Sequence, residues 1–166
     1  MMDSRPTIVI DTNAWLDLLL FEDPRASALR EALRDGVVSA IASEPCREEW
    51  SRVLGYPQLG LDPARRRALT IAFDELVHSH DVHADFREPI VLPRCRDRDD
   101  QKFVQLAYDT RARWLVSRDR EVLALGRRTA RAGWFEILTP QAWSLTGTGD
   151  TALGVGRARA RTDRTA

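Results

Sequence analysis

The run Thr7-Ile8-Val9-Ile10 is apolar, largely β-branched and only four residues long, and it stops on an aspartate, Asp11. A short strand without polar alternation is one covered on both faces, as in a parallel sheet flanked by helices. From Asn13 the pattern turns helical, with Asn13 as the expected N-cap. The same change of period recurs along the chain. Asp23-Pro24 opens a helix with Ala26, Leu29, Ala32 and Leu33 on one face, closed by Asp35-Gly36, and Val37 to Ala42 reads as a second strand. Ser43 caps a helix through Glu49 to Leu54. Asp62-Pro63 opens another, with Leu69, Phe73, Leu76 and Val77 as its apolar stripe. In the looser stretch from His78 to Pro93, Ile90-Val91-Leu92 reads as a short strand. Asp100 to Tyr108 is helical and Trp114-Leu115-Val116 a strand; a helix follows Asp119. Phe135 to Leu138 is the last strand, and Thr139-Pro140 starts a short helix by its cap and first-turn proline. Strands alternating with helices specify an α/β fold around a mainly parallel sheet.

A chain of 166 residues is one domain with room for a proper core. From Thr146 the composition changes to Gly, Thr, Ala and Arg, ending ARARTDRTA. The reading is a folded domain over residues 1–145 and a flexible basic tail over 146–166, which has too little apolar surface to join a core. A formal net charge of zero argues against a general DNA-coating protein, whose affinity would come from a strongly basic surface. It is compatible with an acidic site set among local arginine patches. Cys46 and Cys95 make no disulfide framework and fit a reduced, cytoplasmic chain. No signal peptide is legible, and Asp17 and Glu22 interrupt the apolar Leu18-Leu19-Leu20-Phe21 run, so no membrane span is expected.

In an open parallel sheet, ligands bind beyond the carboxyl ends of the strands. Asp11 ends the first strand, and Ser117-Arg118-Asp119 ends the Trp114 strand. Arg96-Asp97-Arg98-Asp99-Asp100 leads into the Asp100 helix, where Asp100, Phe103, Val104 and Ala107 share the inward face. Glu49, three residues after Cys46 and four before Val53, also faces the core, whereas Glu48 points elsewhere. Crowded carboxylates ionise together only if a cation compensates them. A site made of oxygens alone fits Mg²⁺ or Mn²⁺, which activate water and stabilise the leaving oxygen of a phosphodiester. Any one of these aspartates could be a plain helix cap; all of them together with an inward Glu49 point to a site.

Taken in order, Asp11-Thr12-Asn13 after a strand, Glu49 in the EEWSRVL helix, Asp97 to Phe103 leading to Ala107, and Val116-Ser117-Arg118-Asp119 resemble the PIN domain. The likeness is to the branch described as PIN-family toxin components of toxin–antitoxin systems, and it covers residues 7 to 145. It implies a three-layer α/β/α sandwich with Mg²⁺- or Mn²⁺-dependent ribonuclease activity. By position Asp11, Glu49, Asp100 and Asp119 match the acidic quartet that carries catalysis and metal. Asn13 matches the polar residue that supports the first aspartate, and Ser117 stands where the family has Thr or Ser. Asp99, and behind it Asp97, match extra acids before the third position. The partners implied are an RNA substrate, a cognate antitoxin and a second copy of the chain.

Arg94, Arg96 and Arg98 flank the acids and are the candidates for holding a backbone phosphate. Arg65-Arg66-Arg67 and Arg127-Arg128 read as solvated helix faces, Trp15 and Trp50 as core, and His78, His80 and His83 fit no common zinc spacing. Two other functions compete with the nuclease. One is a phosphotransferase or phosphatase that phosphorylates Asp11; such an enzyme often needs an acid two residues on, where this chain has Asn13, and a lysine, for which Lys102 is the only choice. The other is a non-catalytic PIN-fold module for binding RNA or protein.

Overall fold

In a computed structural model of the protein, residues 5–79 and 88–146 are described. Five parallel strands form one sheet: β1 (Thr7–Ile10), β2 (Ser39–Ala42), β3 (Val77–Ser79), β4 (Trp114–Val116) and β5 (Glu136–Leu138), in the order β3-β2-β1-β4-β5. The central strand β1 is buried through Ile8, Val9 and Ile10, as its unbroken apolar sequence requires. It pairs with β2 on one side (Val9 opposite Ile41) and β4 on the other (Ile10 opposite Val116). Chain progress runs outward from β1 to β3, then returns and runs outward again through β4 to β5. Right-handed crossovers therefore place the early helices on one face and the late ones on the other. The gap between the carboxyl ends of β1 and β4 is the topological switch point of the sheet.

The early face carries α1 (Thr12–Leu19), α2 (Ser27–Arg34), α3 (Glu44–Leu54) and α4 (Pro63–Leu76). Trp15, Trp50 and Phe73 join three of these helices in one aromatic cluster, with Phe73 5.0 Å from Trp15 and 5.3 Å from Trp50 between ring centroids. The two tryptophans are thus core residues, as expected. The late face carries α5 (Gln101–Asp109), α6 (Arg120–Leu123) and α7 (Gly126–Arg131). Phe103, Val104 and Ala107 of α5 are buried, and Trp114 meets Trp143 edge-on at 5.4 Å.

Several expectations change. Asp11, not Asn13, caps α1: its carboxylate accepts from Ala14 N, so the cap lies two residues earlier. The Asp23-Pro24 helix opens as a single 3₁₀ turn before α2, and Gly36 ends it with φ 68°, a left-handed turn that glycine adopts without strain. Strand β2 begins at Ser39 rather than Val37. Val77 leaves the α4 stripe to start β3, an edge strand that the helical pattern had concealed. Ile90-Val91-Leu92 pairs with no strand among the described residues; Val91 is 91% exposed and belongs to a segment without regular structure. Thr139-Pro140 makes only a turn, in which Ala142 N donates to Thr139 O at 3.1 Å. His80, His83 and all of the tail but Thr146 lie outside the described residues. No helix is long and apolar enough to cross a membrane among the described residues.

Candidate active site

Asp11 leaves β1 at the switch point and is only 4% exposed. Its Oδ1 accepts from Ala14 N at 2.8 Å and its Oδ2 accepts from the hydroxyl of Ser117, a fully buried residue at the end of β4. Backbone pairing joins the same two strands, since Asp11 N donates to Val116 O at 2.9 Å. Burial raises the Asp11 carboxyl to about 6; the hydrogen bonds from Ser117, Ala14 and the Arg118 backbone oppose that rise, and the charge of Asp119 adds to it. Ser117 also accepts from Asp119 N at 3.0 Å, so one hydroxyl fixes both acids of the switch point. Asp119 caps α6 through Glu121 N at 2.7 Å and is partly exposed.

The inward and outward assignments for α3 are those of the helical spacing: Glu48 is exposed and Glu49 half-buried. Glu49 reaches over to its neighbours from the middle of the helix. Its Oε1 accepts from the Thr12 hydroxyl at 2.6 Å, which links it to the residue next to Asp11. Its Oε2 is paired with the ammonium of Lys102.

Asp100 stands at the start of α5, half-buried, and its carboxylate makes no capping hydrogen bond. Its pKa rises to about 6, first by burial and then by the charges of Asp119, Asp97, Asp11 and Glu49. The acids therefore feel one another across four separate elements. The loop before α5 is pinned by Gln101, which accepts from Cys95 N at 2.7 Å and donates to Pro93 O at 3.2 Å. Asp97 and Asp99 are both exposed; Asp97 accepts from Asp99 N at 2.9 Å and shapes that loop.

An open cleft of about 500 Å³ lies beside the acids, lined by Asn13, Arg118, Asp119 and Arg120. Asn13 is exposed and faces this cleft, while the polar contacts that fix Asp11 come from Ser117 and Ala14. Arg94, Arg96 and Arg98 are exposed as expected, but Arg94 and Arg96 have different surroundings. Arg94 lines a second cleft of about 460 Å³ with Val91, Leu92, Pro93, Arg128 and Trp134. Arg96 lies 3.7 Å from Glu121.

Sequence reading missed the roles of Thr12, Lys102, Arg118 and Asp17. Thr12 and Lys102 hold Glu49, and Arg118 pairs at 2.8 Å with Asp17, an almost fully buried acid on α1 that Gln141 also contacts. Asp17 sits within Trp15-Leu16-Asp17-Leu18, and a lone acid in an apolar run was the signal available. Cys46 and Cys95 are buried free thiols whose pKa values burial raises, so neither is an activated nucleophile.

The donor set is hard: carboxylate oxygens with hydroxyls behind them and no imidazole or thiolate among them. Two of the acids, Asp11 and Asp100, are raised to about 6 by burial and by neighbouring carboxylates, a penalty on their ionised forms that a divalent cation would relieve. In that sense the residues fit Mg²⁺ or Mn²⁺. Among the described residues, however, no three such side chains stand at a spacing ready to hold an ion, and Glu49 is turned toward Lys102 instead. A family model described as PIN domain matches residues 7–121. No curated protein matches the chain.

Proposed function

The chain belongs to the PIN domain family, a nuclease-type fold, and from that premise we propose that it is a metal-dependent endoribonuclease that cleaves RNA phosphodiester bonds. What supports the reading is that, after burial, the charges of Asp119, Asp97, Asp11 and Glu49, carried on separate elements, all raise the Asp100 carboxyl near the switch point of the sheet. Those four residues would hold Mg²⁺ or Mn²⁺, which supplies a water activated at neutral pH and charge for the departing oxygen. The protein's own part is positional. Ser117 orients Asp11, Thr12 orients Glu49, and the Gln101 clamp sets the loop from which Asp100 emerges. Asn13, Arg118 and Arg120 line the cleft beside the acids, where a phosphate would be met by guanidinium groups. Arg94, Arg96 and Arg98 lie further out as weaker phosphate contacts, and Asp97 and Asp99 support the loop.

Residues 1–145 are proposed as the nuclease domain and 146–166 as a basic arm. A toxin role, with a cognate antitoxin as partner and a second copy of the chain as another, follows from the family branch the sequence resembles. A phosphotransferase using Asp11 as nucleophile is the weaker reading, because that carboxylate is buried and both its oxygens accept hydrogen bonds from the protein.

The test is cleavage of single-stranded RNA with Mn²⁺, with and without chelator. Glu49→Gln should lower the rate by roughly a hundredfold or more, as loss of a metal-site carboxylate does. Exposed Glu48→Gln should leave it nearly unchanged. Cleavage that survives both chelator and Glu49→Gln would leave a different enzyme; no cleavage by wild type with Mn²⁺ present would favour the non-catalytic module.

A further inference from the structure

Lys102 is the only lysine in a chain whose other basic side chains are arginines. It occupies the first turn of α5, two residues after Asp100. A cation there is disfavoured by the positive end of the helix dipole unless a carboxylate compensates it. That compensation is Glu49: the ammonium donates to Glu49 Oε2 and also to Asp99 O at 3.0 Å. Both side chains are largely covered, Lys102 at 23% and Glu49 at 14% exposed. The neighbouring arginines hold the cluster less closely, Arg52 meeting the same Glu49 oxygen only at long range. Arg118 is drawn to Asp17, and Arg52 lies 3.9 Å from Glu49 on a side chain that is 63% exposed.

We propose that Lys102 is the internal counter-cation of the acid cluster, a positioning residue that holds Glu49 in the metal-free protein and gives it up when a divalent ion is bound. The inference rests on the metal-centre reading above. Its physical basis is competition between cations. An oxygen that accepts strongly from an ammonium offers less charge to a metal, and an ammonium beside a divalent ion is repelled by it. Thr12 keeps hold of Oε1 throughout, so Glu49 need only change the partner of its other oxygen. Lys102 therefore favours the metal-free protein and weakens metal affinity.

The test uses the full chain and its Lys102→Met and Lys102→Arg variants, titrated with Mn²⁺ by calorimetry, with Asp11→Asn alongside. Methionine keeps the apolar stem and removes the charge. It should tighten Mn²⁺ binding on the order of tenfold, the scale of one hydrogen bond between charged groups, and lower the melting temperature of chelated protein. Arginine should stay near wild type on both measures. Because Lys102 is the only lysine, ¹⁵N-lysine labelling gives one side-chain Nζ resonance, which should shift as Mg²⁺ is added to wild type. That measurement decides the question even if Lys102→Met does not fold. Equal Mn²⁺ affinity for Lys102→Met and wild type, or an Nζ signal unmoved by saturating Mg²⁺, overturns the inference. If Asp11→Asn loses Mn²⁺ affinity in that same experiment, the metal-centre reading survives. Binding unchanged in Asp11→Asn, or absent in wild type, overturns both.

Discussion

Replacing Asp11 by asparagine should make the metal-free protein more stable at neutral pH, although it removes a group at the centre of the site. The carboxyl titrates at about 6 in the folded chain against 3.8 when unperturbed. A folded value above the unfolded one means that the native state binds the proton more tightly. The associated stability is complete below 3.8 and is lost as pH rises through about 6. At about pH 7.5 that loss is about 3 kcal/mol for a shift of this size. Asparagine does not ionise and escapes it. It gives up some hydrogen-bond strength toward Ser117 and Ala14, at a cost of about 1 kcal/mol, so a net gain of about 2 kcal/mol is expected. Urea denaturation of chelator-treated wild type and Asp11→Asn, repeated from about pH 7.5 down to about pH 4, reads this directly. The variant's advantage should shrink across the window between about 6 and 3.8, as wild type takes up its proton. A variant less stable than wild type at neutral pH, or a difference that does not change with pH, would show that Asp11 is a structural cap and refute the reasoning.

Three further outcomes can be checked. Ser117→Ala removes the donor that opposes the rise of the Asp11 pKa, so in chelator-treated protein the Asp11 carboxyl, followed by NMR titration, should titrate at higher pH; a value that moves down, or stays put, contradicts the arrangement. Arg118→Ala removes the cation hydrogen-bonded to the buried Asp17 and should cost about 1–2 kcal/mol in thermal or urea unfolding, discounted because Arg118 is about half exposed. Truncation after Leu145 should leave folding and Mn²⁺ binding intact while weakening RNA affinity and flattening its salt dependence, through loss of Arg157, Arg159, Arg161 and Arg164. An equal affinity and an equal salt slope for the truncated chain would rule out an RNA role for the arm.

What could be read from the sequence was whatever depends on local period. The strand ends at Ile10 and Val116 follow from where apolar runs stop, and an acid one to three residues beyond such a stop is placed at the rim of the sheet without knowledge of any contact. Glu48 and Glu49 could likewise be told apart from helical spacing alone. Edge elements are less legible. Val77 continues the i, i+4 stripe from Phe73, so nothing local separates the last turn of α4 from β3, and only pairing with β2 makes the distinction. Ile90-Val91-Leu92 fails for the opposite reason: it has the composition of a strand but no strand beside it among the described residues. The contacts that hold the site together are not local; Ser117 was placed by resemblance and not by its partner. Lys102 meets Glu49 across 53 residues, Ser117 meets Asp11 across 106, and Arg118 meets Asp17 across 101. A period of two or 3.6 carries no information at such separations.

The place of β1 in the sheet also governs when the site can exist during synthesis. β1 leaves the ribosome first and can pair early with β2, but its other edge waits for β4. Ser117 is the donor that seats Asp11 from β4, and Asp119 follows it by two residues, so the first carboxylate stays without these two neighbours until the chain beyond Asp119 has emerged. A nascent enzyme of this topology is made in close company with messenger and ribosomal RNA. It cannot assemble its acid cluster until β4 has taken its place beside β1.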